Sequence, residues 1–104
     1  MGVRENKVET YLDCEVVLLG GVTRKWVCPM HDGVPDRIVI LNGLVVFVEV
    51  KTTDGELSTA QEREHKRLKA AGAIVKTVYG RSHVDTLIEW IREISSSPAF
   101  GSKS

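Results

Sequence analysis

Asp36, Glu49 and Lys51 are the residues of this chain whose types and spacing point to chemistry. Asp36 closes the run Gly33-Val34-Pro35-Asp36, and Glu49-Val50-Lys51 follows after a short apolar stretch centred on Asn42-Gly43. Asn-Gly is the strongest short-range signal for a two-residue hairpin turn, because both positions tolerate positive φ. With those two residues as the loop, Asp36 falls opposite Glu49, Ile38 opposite Phe47 and Ile40 opposite Val45, while Val39 with Val46 and Leu41 with Leu44 occupy the other side. Like charges facing each other across a sheet repel, their Cβ atoms being only about 4.5–5.5 Å apart. Lys51 stands on the face of Glu49, since side chains alternate along a strand. A hard divalent cation held by both acids, with the lysine beside it, settles the electrostatics and points to phosphodiester hydrolysis. The plainer alternative is an exposed hairpin end with an ordinary Glu–Lys pair, but these acids end strands that are otherwise almost wholly apolar.

The expected cation is Mg2+ or Mn2+, taking oxygens from Asp36, Glu49 and the backbone carbonyl of Val50, with places left for water and the scissile phosphate. Lys51 would orient or deprotonate the attacking water, or neutralise charge developing on the phosphate. Pro35 fixes its own φ and holds Val34 extended, which sets Asp36 rigidly at the strand entrance. Gly33 serves the backbone of the loop.

The elements that must position these groups follow from periodicity. Val8, Leu12, Val16 and Leu19 recur at helical spacing, predicting a first helix from about Val3 to Leu19 with Gly20-Gly21 as its stop. Thr23 to Cys28 reads as a strand ended by Pro29, with Trp26 in the core. The hairpin is apolar on both faces, which predicts a sheet covered on both sides. Ser58 with Gln61 is a capping-box pattern for a second helix running to Ala71, stopped by Gly72, with Arg63, Lys66, Arg67 and Lys69 giving it a basic face. Ala73 to Tyr79 predicts another strand. A third helix from about His83 to Ile94 carries Val84, Leu87, Ile88, Ile91 and Ile94 on one side, with Trp90 beside that stripe. The order α-β-β-β-α-β-α predicts a small α/β sandwich, a mixed central sheet covered by helices.

A length of 104 residues fits one domain, here residues 1–95, followed by a flexible tail over 96–104. Cys14 and Cys28 lack C-x-x-C spacing or a histidine cluster, so neither a zinc site nor a disulfide framework is indicated, and buried free thiols are expected. No stretch has the length and apolarity of a membrane span, and the polar N-terminus lacks a signal-peptide core, so a cytoplasmic protein is expected. Formal net charge is zero, so a DNA surface must come from local segregation of charge. Arg24, Lys25, Arg37, Arg63, Lys66 and Arg67 are the candidates for phosphate contacts. Of the histidines, His31 precedes the acidic hairpin, His65 lies one turn beyond Gln61 and could approach a phosphate or simply pack, and His83 has no assigned role.

Gly33-Val34-Pro35-Asp36-Arg37-Ile38-Val39, Val46-Phe47-Val48-Glu49-Val50-Lys51 and Leu57-Ser58 with Gln61 together resemble the VRR-NUC family of the PD-(D/E)XK nuclease superfamily. The match runs in order from the first helix to about Tyr79. The resemblance implies a restriction-endonuclease-like fold and a divalent-metal-dependent endonuclease. Its small stand-alone members, several of them phage-encoded, resemble Holliday-junction resolvases acting as homodimers on branched DNA, in the host cytoplasm where phage-encoded. It further implies an acid on the first helix: Glu5, which fits the family's E-x-x-hydrophobic spacing before Val8, is the preferred catalytic acid, and Glu9, one turn later, is the alternative, either reaching the metal directly or through water. Gln61 matches the family's downstream glutamine, as a catalytic residue or only as the helix cap. A flap or duplex endonuclease of the same fold, and a DNA-binding or interaction module without turnover, are the alternatives.

Overall fold

The computed structural model describes the backbone of residues 3–96 and the side chains from residue 6 onward. Glu5's side chain and residues 97–104, most of the expected tail, lie outside the described residues. The order is α1 (Val3–Leu18), β1 (Val22–Lys25), β2 (Arg37–Leu41), β3 (Leu44–Lys51), α2 (Thr59–Ala70), β4 (Ile74–Tyr79) and α3 (Arg81–Ser95). The four strands form one sheet in the order β1-β2-β3-β4. β1–β2 and β2–β3 are antiparallel, and β3–β4 is parallel, joined through α2.

Asn42 (φ 53°) and Gly43 (φ 82°) both take positive φ, the backbone of the tight hairpin turn that fits the twist of its strands. The turn sets the register: Leu41 pairs with Leu44, Ile38 with Phe47 and Arg37 with Val48. One face of β2–β3 carries Val39, Leu41, Val46, Val48 and Val50, all buried in one core with Val8, Leu12 and Val16 of α1 and Val84, Leu87, Ile88 and Ile91 of α3. The opposite face carries Ile38, Ile40, Val45, Phe47, Glu49 and Lys51. α2 covers that face beside β4 and leaves its β1–β2 half open.

The expectation of a doubly covered hairpin is therefore corrected. Val22, Ile40 and Val45, one row across three strands by register, are 39–47% exposed. β1 also starts and stops earlier than the composition predicts. Continuing its register pairs Trp26 with Asp36, and Trp26 N still donates to Asp36 O at 2.9 Å. The next rung would face Pro35, which has no N–H, so the ladder ends. Trp26 consequently lies beyond the strand, half-buried on the open face against Phe47 (ring centroids 5.0 Å apart), and not in the core. α3 begins two residues before His83 because Gly80, at φ 90°, makes the turn out of β4 as its N-cap. Cys14 is exposed and Cys28 half-buried, against the expectation of buried thiols.

Candidate active site

The end of the β2–β3 hairpin remote from its turn meets the N-terminus of α2, and the acids gather there. β2 begins at Arg37, so Asp36 sits just outside the ladder, one rung from Val48 and opposite Glu49. Where the ladder stops, the Asp36 carboxylate takes over as acceptor: Val50 N donates to Asp36 Oδ2 at 2.9 Å. Glu49 is 2% exposed, and Lys51 Nζ stands 3.6 Å from its Oε2.

α2 supplies the next layer. Ser58 and Gln61 form the full capping box, Gln61 N donating to Ser58 Oγ (3.1 Å) and Ser58 N to Gln61 Oε1 (2.8 Å). The other end of the same amide, Gln61 Nε2, donates to Glu49 Oε2 at 2.9 Å. The two readings of Gln61 are thus compatible, since one side chain caps the helix and holds the acid. The buried side chains of α2 are Glu64 and His65, so this helix turns a polar face inward. His65 Nε2 lies 3.8 Å from Glu49 Oε1, and both atoms are buried without a hydrogen-bond partner.

Gly33 fixes how the acidic loop meets this helix. It has φ +89°, and a Cβ there would fall 2.4 Å from Ala60 O and 2.9 Å from Gln61 N. Only glycine permits both the backbone conformation and the close approach.

The electrostatics of the pair are those of a site waiting for positive charge. Burial, then the charge of Asp36, push the Glu49 carboxyl up to about 8, and Lys51 offsets this only in part. Burial, then Lys69, keeps His65 below the usual imidazole range.

The helix α1 approaches from the core side. Glu9 is raised by burial first and by Asp36 second, which puts it within electrostatic reach of the pair. It is also 3.7 Å from Arg37 Nη1. Arg37 Nη2 donates to Asp13 Oδ2 (2.8 Å) and Thr23 Oγ1 (3.2 Å), tying α1, β1 and β2 together immediately after Asp36. Arg37, a sequence candidate for a phosphate contact, is instead mostly buried in this network.

A divalent cation fits these residues. The unpartnered buried Glu49 Oε1 is an oxygen donor with nothing to accept, and Asp36 faces it. Among the described residues no three carboxylate, imidazole or thiolate side chains already gather into a cation cage. Two carboxylates with the rest of the shell from backbone oxygen and water is the habit of Mg2+.

The basic residues divide. Arg24, Lys25, Arg63 and Lys66 are exposed. Arg67 is 61% exposed but pairs with Glu64 Oε1 at 2.8 Å. Next to His65 a groove of about 280 Å³ is lined by Leu57, Glu62, His65, Lys66, Lys69 and Thr77. His65 and the Arg37 network are what sequence reasoning underweighted. The available signal for His65 was its spacing of four residues from Gln61, which puts both on one face of α2.

No family model matches the chain. A solved structure described as a VRR_NUC domain superposes with a TM-score of 0.79 at 38% identity, covering 85% of this chain and 97% of the other. The chain belongs to the VRR-NUC family. A curated relative, "Putative nuclease p44" of Acyrthosiphon pisum secondary endosymbiont phage 1, is 45% identical over 71 residues, 67% of this chain and 76% of that protein. The VRR-NUC likeness bears out the small α/β fold expected from the order of elements and its four-stranded mixed sheet.

Proposed function

We propose that this VRR-NUC chain is a divalent-metal-dependent endonuclease that hydrolyses DNA phosphodiester bonds, with branched DNA such as four-way junctions as its substrate. The observation that carries the reading is half-buried Asp36 facing buried Glu49, with the unpartnered Glu49 Oε1 and adjacent Lys51. Asp36, Glu49 and the Val50 carbonyl would hold Mg2+ or Mn2+, with Glu9 or Glu5 reaching it through water. When bound, the cation polarises the phosphate and lowers the pKa of water. Gln61 donates to Glu49 and would keep it in place, and Lys51, whose Nζ stands 3.6 Å from Glu49 Oε2, would hold the attacking water or meet charge developing on the phosphate.

Exposed Lys66 and Lys69 along the α2 groove, with Arg63 on the same helix and Arg24 and Lys25 on β1, supply the local positive charge that a neutral chain needs to bind a backbone. A homodimer in the cytoplasm completes the proposal. The open apolar row Val22–Ile40–Val45 supports burial against a second copy, and among the described residues no helix is long and apolar enough to cross a membrane.

The test is cleavage of labelled four-way junction, flap and linear duplex of matched sequence in Mg2+ or Mn2+ and in chelator. Symmetric, metal-dependent junction cuts are expected. Cuts confined to flap or duplex would discard the junction preference, and tight binding without cleavage under any divalent ion would make the chain a DNA-binding module.

A further inference from the structure

The inward face of α2 is unusual for a helix packed on a sheet, because its buried side chains are Glu64 and His65 where apolar residues are the norm. Glu64 has an evident partner in Arg67. His65 has none. It is 4% exposed, and its Nε2 is cut off from solvent and from any hydrogen bond. The atom it faces is Glu49 Oε1 at 3.8 Å, which is in the same condition.

Two buried polar atoms, each lacking a partner and each facing the other, complete one another. With a cation bound, Glu49 is an ionised carboxylate whose oxygens only accept, so the imidazole must donate from Nε2. The other oxygen of Glu49 already receives the Gln61 amide from one helical turn earlier. Gln61 and His65 are then two arms of one clamp, delivered by successive turns of α2, with one donor aimed at each oxygen of the same acid. Direct ligation by the imidazole is the less apt reading, since His65 does not gather with Asp36 and Glu49 into a cation cage and Mg2+ prefers oxygen.

We propose that His65 is a positioning residue, acting through Glu49: its Nε2–H holds Oε1 of that acid, across a bridging water or a small rotation of the ring, in the orientation that binds the cation. This rests on the reading of Asp36 and Glu49 as cation ligands. Partners of this kind set ligand orientation, and their loss costs roughly 10- to 100-fold in metal affinity. The groove lined by Lys66 and Lys69 opens beside the same imidazole, so the residue that orients the acid also borders the path offered to the DNA backbone.

The experiment is calorimetric titration of the full chain with Mn2+ at one fixed pH, for wild type, Glu49→Gln, His65→Leu and His65→Gln, with unfolding midpoints recorded for each in chelator. Expected are a roughly tenfold or greater loss of Mn2+ affinity in His65→Leu without a lowered midpoint, and recovery to near wild type in His65→Gln, whose amide donates. Equal affinity in wild type and His65→Leu would overturn the role of His65 and leave the cation site standing. So would a His65→Gln variant as weak as His65→Leu, or as weak as Glu49→Gln if His65→Leu fails to fold. No Mn2+ binding in the wild type, or undiminished binding in Glu49→Gln, would overturn the cation-site reading itself and this proposal with it.

Discussion

Gln61 Nε2 donates to Glu49 Oε2 at 2.9 Å while the oxygen of the same amide caps its own helix. Helix α2 is thereby anchored at its first turn to the acid that its crossover position brings near. Separating the two jobs is straightforward. Ser58→Ala removes the cap alone and should cost about 1 kcal/mol of stability with cleavage retained, whereas Gln61→Ala should lower stability comparably and cleavage much further. Denaturant melts and single-turnover rates on the two variants check this.

Acid strength predicts an inverted pH dependence for the metal-free protein. The Glu49 carboxyl rises from an ordinary 4.5 to about 8 on folding, so between those values the folded state keeps a proton that the unfolded chain has released. Stability must then fall as pH rises through this window. Glu49→Gln should lose this part of the slope and exceed the wild type in chelator at pH 8, while losing cleavage. Saturating Mg2+ should restore wild-type stability at pH 8, because a ligand bound only by the native state stabilises it. Thermal melts from pH 5 to 8, with and without Mg2+, measure all three.

Gly33 bears on the site through backbone alone. A methyl group there clashes with the backbone of Ala60 and Gln61 and demands a strained φ, so Gly33→Ala should destabilise by more than about 1 kcal/mol. Because the loop leads directly into Asp36, its displacement should also weaken Mn2+ binding in the protein that remains folded. Urea unfolding and Mn2+ titration give the two numbers.

Much of this was legible in the sequence because it is local. Asn42-Gly43 has one favoured conformation, and that turn fixes every pair from Leu41–Leu44 to the rung where Asp36 meets Glu49. Ser58 and Gln61 announced the start of α2 for the same reason. The failures are tertiary. Apolar residues on both faces of the hairpin could not reveal that α2 covers only the β4 side, leaving Ile40 and Val45 open. The end of β1 depended on Pro35, a residue distant in sequence that becomes its neighbour only through register. Spacing favours Glu5 over Glu9 as the helix acid; the Glu5 side chain lies outside the described residues, and the fold shows Glu9 beside Arg37 and within electrostatic reach of Asp36.

The open row of Val22, Ile40 and Val45 carries the prediction about assembly. If this face is buried between two copies, Val45→Glu places a charge in each half of the interface and should yield a folded monomer. Light scattering after size exclusion reads the mass, and circular dichroism checks the fold.

The central claim is that Asp36, Glu49 and Lys51 are the machinery of metal-dependent DNA hydrolysis. It is tested most directly by single-turnover cleavage of a labelled four-way junction in Mg2+ or Mn2+ by wild type, Asp36→Asn, Glu49→Gln and Lys51→Ala, each first shown to be folded. The account predicts cleavage by the wild type and its loss, by orders of magnitude, in all three variants. Undiminished cleavage in all three would contradict it.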